Sequence, residues 1–160
     1  HGLEHSITQL EALPQPERDD LKAAILDLVS SSPPYLMLEQ GKLVVAHAGI
    51  KGQMIGKVSE RIKDFTLYGD VTGAKTPDGM PERRDWAAKY QGGALIVYGH
   101  TPVRQPILRY RTVNIDQGCV FGGRLTALRY PEMEFVQVRA RETYYQHPSG
   151  NPFRHYTTWV

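Results

Sequence analysis

The sequence predicts an α/β domain, and three observations carry that expectation. Leu21, Ala24, Ile25 and Leu28 recur at helical spacing, the apolar stripe of an amphipathic helix. Leu43-Val44-Val45-Ala46 and Leu95-Ile96-Val97-Tyr98 are short, continuous apolar runs, the pattern of interior strands. From residue 107 onward β-forming residues dominate between turn residues, so the C-terminal third reads as a β-meander.

In chain order, Pro16 suits a first helical turn and Ser30-Ser31-Ser32-Pro33-Pro34 stops the first helix. Leu36-Met37-Leu38 and residues 43–46 flank Glu39-Gln40-Gly41-Lys42 and predict a hairpin whose second strand is buried on both faces and ends at His47. Ile55, Val58, Ile62 and Phe65 form a second helical stripe. Residues 69–81, rich in Gly, Asp, Thr and Pro, predict a surface loop, and 83–90 a short helix around Trp86. Gly92-Gly93 and Gly99 bracket a third strand that ends at His100, and residues 107–115, 125–130 and 135–138 complete the strands.

With 160 residues, 41% hydrophobic and 22% charged, the chain is neither disordered nor fibrous and predicts one compact unit. No apolar run reaches the length of a membrane helix. Cys119 is the single cysteine, which excludes an internal disulfide and makes a reducing cytoplasm the expected compartment. The net charge of +2 conceals an asymmetry: residues 101–160 hold eight Arg against four acidic residues. Arginine suits forked contacts with phosphate oxygens, so this half hints at an anionic ligand.

Chemistry is expected where the two interior strands end, because ligands collect beyond the carboxyl edge of such sheets. His47-Ala48-Gly49 follows one strand and His100-Thr101-Pro102 the other, so one divalent cation could be shared by His47 and His100. Each could equally be a hydrogen-bonded core histidine. Shared ligation requires two ring nitrogens about 3 to 3.5 Å apart, given bonds near 2.1 Å. Asp116 follows the strand of Val113-Asn114-Ile115, where it could accept the outer N–H of a metal-bound imidazole or simply bond its own turn. Residues 118–123 lack the Lys-Ser/Thr of a phosphate-binding loop. Cys119 is expected to be an inert buried thiol, Arg83 and Arg84 solvated surface groups, and His1, His5, His147 and His155 no part of any site. Residues 152–160, with Phe153, Tyr156 and Trp159, form either a docked strand or a connector.

His47-Ala48-Gly49, Gly99-His100-Thr101-Pro102-Val103 and Asn114-Ile115-Asp116-Gln117-Gly118-Cys119, in that order, resemble the calcineurin-like binuclear metallophosphatases. Within them the sequence looks most like the phosphatase module of bacterial polynucleotide kinase-phosphatase. That likeness also rests on Tyr68-Gly69-Asp70, Asp85-Trp86-Ala87, residues 121–131 and Tyr144-Tyr145, and it covers residues 1–147. It implies a layered α/β sandwich with mixed sheets, here the C-terminal half of a domain, with 148–160 a tail toward a following module. It further implies His47 and His100 as ligands of one of two adjacent metals and Asp116 as an essential acid. Manganese is the expected ion, with nickel, iron or zinc as alternatives.

The family's upstream motifs Gly-Asp-x-His, Gly-Asp-x-x-Asp-Arg and Gly-Asn-His-Asp/Glu occur nowhere in the 160 residues. Gly69-Asp70 is the single Gly-Asp pair, it follows His47, and Asp70 is expected to be a loop residue. With those motifs missing, and with His1-Gly2 rather than methionine at the start, a segment of a longer protein is expected. Such a segment should be nearly inactive alone. The resemblance implies two-metal hydrolysis of phosphate monoesters or 2′,3′-cyclic phosphates at nucleic-acid ends, within an RNA repair enzyme that also carries kinase and ligase-like modules. Two alternatives stay open: a non-catalytic remnant that binds RNA or a partner, and a relative acting on dinucleoside polyphosphates or phosphoproteins.

Overall fold

The computed structural model describes residues 3–153, which divide between Pro33 and Pro34 into two compact units. The first contains α1 (Leu3–Glu11), for which the sequence pattern offered no signal, and α2 (Gln15–Ser31). Pro16 opens α2, the Ser32 hydroxyl donates to the Leu28 carbonyl at 2.6 Å, and Pro33-Pro34 prevents continuation. The expected stripe is present, yet Leu21, Ile25 and Leu28 stay exposed.

The second unit is built on a five-stranded mixed sheet. Its strands are β1 (Leu36–Leu38), β2 (Leu43–Val45), β5 (Leu95–Tyr98), β6 (Ile107–Arg109) and β7 (Thr112–Asn114), in the order β1-β2-β5-β7-β6. The central β2, β5 and β7 run parallel, and the edge strands β1 and β6 run antiparallel to their neighbours. Period-two alternation divides the core between the two faces of this sheet. Val44 and Ile96 turn to one face, where Ile62 and Phe65 of α3 (Glu60–Tyr68) join Ile50, Trp86 and Tyr90. Leu43, Leu95, Val97 and Val113 turn to the other, against Leu128, Tyr130 and Met133. Val44 and Ile96 are fully buried, each worth about 1.5 to 3 kcal/mol. Leu128 belongs to a second, antiparallel sheet of β8 (Asp116–Gln117), β9 (Arg124–Arg129) and β10 (Glu134–Arg139), ordered β10-β9-β8. Helix, mixed sheet and antiparallel sheet thus stack as a layered α/β sandwich.

Four expectations are corrected. α3 begins after Ser59, whose hydroxyl accepts the Ile62 N–H, so Ile55 and Val58 lie outside it, on either side of a left-handed Gly56. The expected loop 69–81 contains β3 (Val71–Lys75), which pairs with β4 (Pro81–Arg83) as a ribbon. The expected helix at 83–90 is a single 3-10 turn, Ala87–Lys89. The run 107–115 is a hairpin, because Tyr110 takes a left-handed conformation (φ 58°) that no glycine or proline announces. The C-terminal third therefore splits between two sheets and is not one meander. Expectations for His1, His155, Tyr156 and Trp159 lie outside the described residues.

Candidate metal centre

β2 and β5 are neighbours in parallel register, Val45 opposite Val97, so both strands deliver their following residues to the same edge. The pairing continues past them: Ala46 N–H donates to Val97 O at 3.0 Å, and Gly99 N–H to His47 O at 2.8 Å. His100 then turns through a left-handed conformation (φ 69°). His47 Nε2 and His100 Nδ1 come to 2.9 Å, with the rings near edge-to-face. His47 is exposed and His100 partly buried, so neither is a core histidine.

Arg83, expected as a solvated surface group, instead places Nη2 3.0 Å from His100 Nε2, while its Nε donates to the Tyr68 carbonyl at 3.1 Å. Sequence pattern gave no reason to single it out from Arg84. Because a guanidinium only donates, His100 Nε2 accepts and its Nδ1–H points at His47 Nε2. Burial first, then Arg83 and His47, push the His100 imidazole down to about 4. The ring is neutral at pH 7 and keeps a lone pair for ligation.

Two nitrogens 2.9 Å apart match adjacent corners of an octahedral shell, since bonds of about 2.1 Å at right angles span about 3 Å. The pair therefore fits as part of a metal site. Among the described residues no group of three His, Cys, Asp or Glu completes it. Ligation through His100 Nδ1 would move that ring's proton to Nε2 and release Arg83.

Asp116 stands beside this edge: a Cβ on Gly99 would lie 3.0 Å from the Asp116 Cβ. Its Oδ1 accepts the Gly118 N–H at 2.9 Å, the Asx turn that was the simpler of the two expectations. The sequence reading overlooked Asn114. This fully buried side chain donates to Thr101 O at 2.9 Å and accepts the Asp116 N–H at 2.9 Å, tying the His100 loop to the Asp116 turn. The signal available was a polar residue closing an apolar strand. Asp70 is a loop residue as expected, and it binds Lys51 at 2.7 Å and Arg84 at 3.6 Å. Cys119 is half-buried in a 3-10 turn, not in the core. A cleft touching Ala48, Thr101 and Arg83 shares Asp70, Arg84 and Asp85 as walls with a neighbouring cavity of about 540 Å³ that Lys51 and Lys89 also line.

No family model matches the chain. It is 54% identical over 144 residues, 90% of its length, to "Bis(5'-nucleosyl)-tetraphosphatase PrpE [asymmetrical]" of Anoxybacillus flavithermus (strain DSM 21510 / WK1). These relatives are dinucleoside tetraphosphatases by name. The Bacillus subtilis (strain 168) protein of that name is 54% identical over 86% of this chain, and that of Bacillus thuringiensis (strain Al Hakam) 50% over 96%. The chain spans 57 to 59% of these three relatives' own length. None of the three is named a polynucleotide kinase-phosphatase, so that narrower likeness gains no support. A solved structure, "Crystal structure of a putative diadenosine tetraphosphatase", shares the fold over 81% of this chain and 57% of its own, with a TM-score of 0.54 and 20% identity. Among the described residues, no helix is long and apolar enough to cross a membrane.

Proposed function

We propose that the chain is the histidine-bearing portion of a calcineurin-like metallophosphatase that splits dinucleoside tetraphosphates asymmetrically, into a nucleoside triphosphate and a nucleoside monophosphate. The observation that carries this reading is the convergence of His47 Nε2 and His100 Nδ1 to 2.9 Å, in a chain 54% identical to proteins named as such tetraphosphatases. Those names favour a dinucleoside polyphosphate over the nucleic-acid ends expected from the sequence, and with them the RNA repair context recedes.

Bound metals would supply polarisation of phosphoryl oxygens and an acidified water as nucleophile. The chain's own residues do the rest. His47 and His100 offer two nitrogens of one metal's shell, and the other ligands belong to the motifs this sequence lacks. Arg83, freed from His100 Nε2, is within reach to donate to a phosphoryl oxygen. Asp116 holds the His100 loop from behind Gly99. Lys89 lines the adjoining cavity and can offset phosphate charge there, whereas Lys51 and Arg84 in the same wall are paired with Asp70.

The test takes the chain extended to the full length of its relatives, supplied with manganese and diadenosine tetraphosphate, with products separated by chromatography. ATP and AMP in equal amounts are expected, with none from His47→Ala or His100→Ala. Turnover to ADP alone, or full activity in either variant, overturns the reading.

A further inference from the structure

The arginine excess of the C-terminal half is resolved by a second cavity, of about 330 Å³, that the histidine pair does not line. Arg104, Arg124, Arg139, Gln117 and Phe153 surround it, together with Gly122-Gly123, and no acidic side chain takes part. We propose that this cavity is a binding site for a polyphosphate chain, separate from the metal centre, in which the arginines grip the phosphates.

The sheet itself builds the site. Gln117 pairs with Arg124 across β8 and β9, and Arg124 with Arg139 across β9 and β10, so the three side chains stand in one cross-strand row on one face. Two arginines directly opposite each other repel unless an anion lies between them. Outside the cavity Arg109 binds Asp85 and Arg129 binds Glu134, while Arg111 and Arg141 form no ion pair among the described residues. Among the described residues Arg104, Arg124 and Arg139 form no ion pair, and Arg104 lies over the Phe153 ring instead.

Gln117 closes the buried end of the row. It is 2% exposed, yet neither its Nε2 nor its Oε1 has a hydrogen-bond partner. A buried amide left unsatisfied at both ends is costly and rare in native proteins. Both amide atoms are closed off from the cavity's solvent, so a phosphate chain there meets the arginines and not this amide. Asp116 and Gln117 are consecutive residues of β8 and so face opposite ways, Asp116 toward Gly99 and Gln117 to the side of the sheet that carries Arg124 and Arg139. The site is therefore independent of the histidine pair and of the hydrolysis proposed there.

Calorimetric titration of the chain in EDTA with ATP, tripolyphosphate and adenosine tests the proposal. ATP and tripolyphosphate should bind and adenosine should not. Arg124→Gln with Arg139→Gln should weaken ATP by about tenfold or more, and His47→Ala should leave it unchanged. Should the double variant lose its circular dichroism, Arg104→Gln, on an exposed residue, carries the same expectation. Absent binding, or binding abolished by His47→Ala and indifferent to the arginines, overturns the second site while leaving the hydrolytic reading intact. Loss of hydrolysis with arginine-dependent ATP binding retained does the reverse.

Discussion

Gly49 lies flat against the indole of Trp86, so closely that a Cβ there would overlap the ring. Its φ of 103° is moreover one that side chains rarely adopt. The contact locks the segment after His47 onto the loop that carries Arg83, since Trp86 follows three residues later. Gly49→Ala should destabilise the domain by about 2 to 4 kcal/mol, from overpacking plus backbone strain. Chemical unfolding measures it, and a loss below about 1 kcal/mol would contradict the packing described.

His100 titrates near 4 in the folded chain against about 6.5 when unfolded. Between those values the unfolded chain binds the extra proton, so the stability contributed by neutral His100 is whole above about pH 6.5 and is lost as pH falls toward 4. His100→Gln should flatten this part of the melting curve against pH. Arg83→Met should raise the His100 value, because it removes the second of the three causes. Proton NMR titration of the imidazole reads this directly, and an unchanged midpoint would remove Arg83 from the site.

Asp85 works twice. Its Oδ1 accepts the Ala88 N–H at 3.1 Å and its Oδ2 binds Arg109, joining the 3-10 turn to β6. Both side chains are mostly buried, so Asp85→Ala should cost about 2 kcal/mol, between the values for surface and buried pairs. Asp85→Asn, which keeps the Ala88 bond, should cost less. Equal melting temperatures for the two variants would show that the ion pair carries all of the effect.

Asn114→Ala removes two buried hydrogen bonds and leaves Thr101 O without its donor. A loss of about 2 to 3 kcal/mol is expected by thermal unfolding. Asp116→Ala, by contrast, should spare most stability and lower manganese-dependent turnover of the extended chain by about 10 to 100-fold. Wild-type turnover in that variant would reduce Asp116 to its Asx turn.

The interior strands were legible because runs such as Leu43-Val44-Val45 and Leu95-Ile96-Val97 are apolar without alternation, the pattern of strands covered on both faces. The histidines were legible as candidates for the same reason, since each follows such a run. What the sequence could not display was long-range pairing. Nothing local says that β2 and β5 are neighbours, that Arg83 reaches His100, or that Gln117, Arg124 and Arg139 form a row. The β6–β7 hairpin was hidden because Tyr110 occupies a position usually marked by glycine. The ribbon at 71–83 was hidden because its residues look like a loop when read singly.

Because adjacent parallel strands, and no connecting loop, set the gap between the imidazoles, the donor spacing is inherited from the roughly 4.8 Å gauge of the sheet. The excursion from residue 50 to residue 94 does not set that gauge, yet it buttresses both rings from outside, through Arg83 on His100 and Trp86 against Gly49.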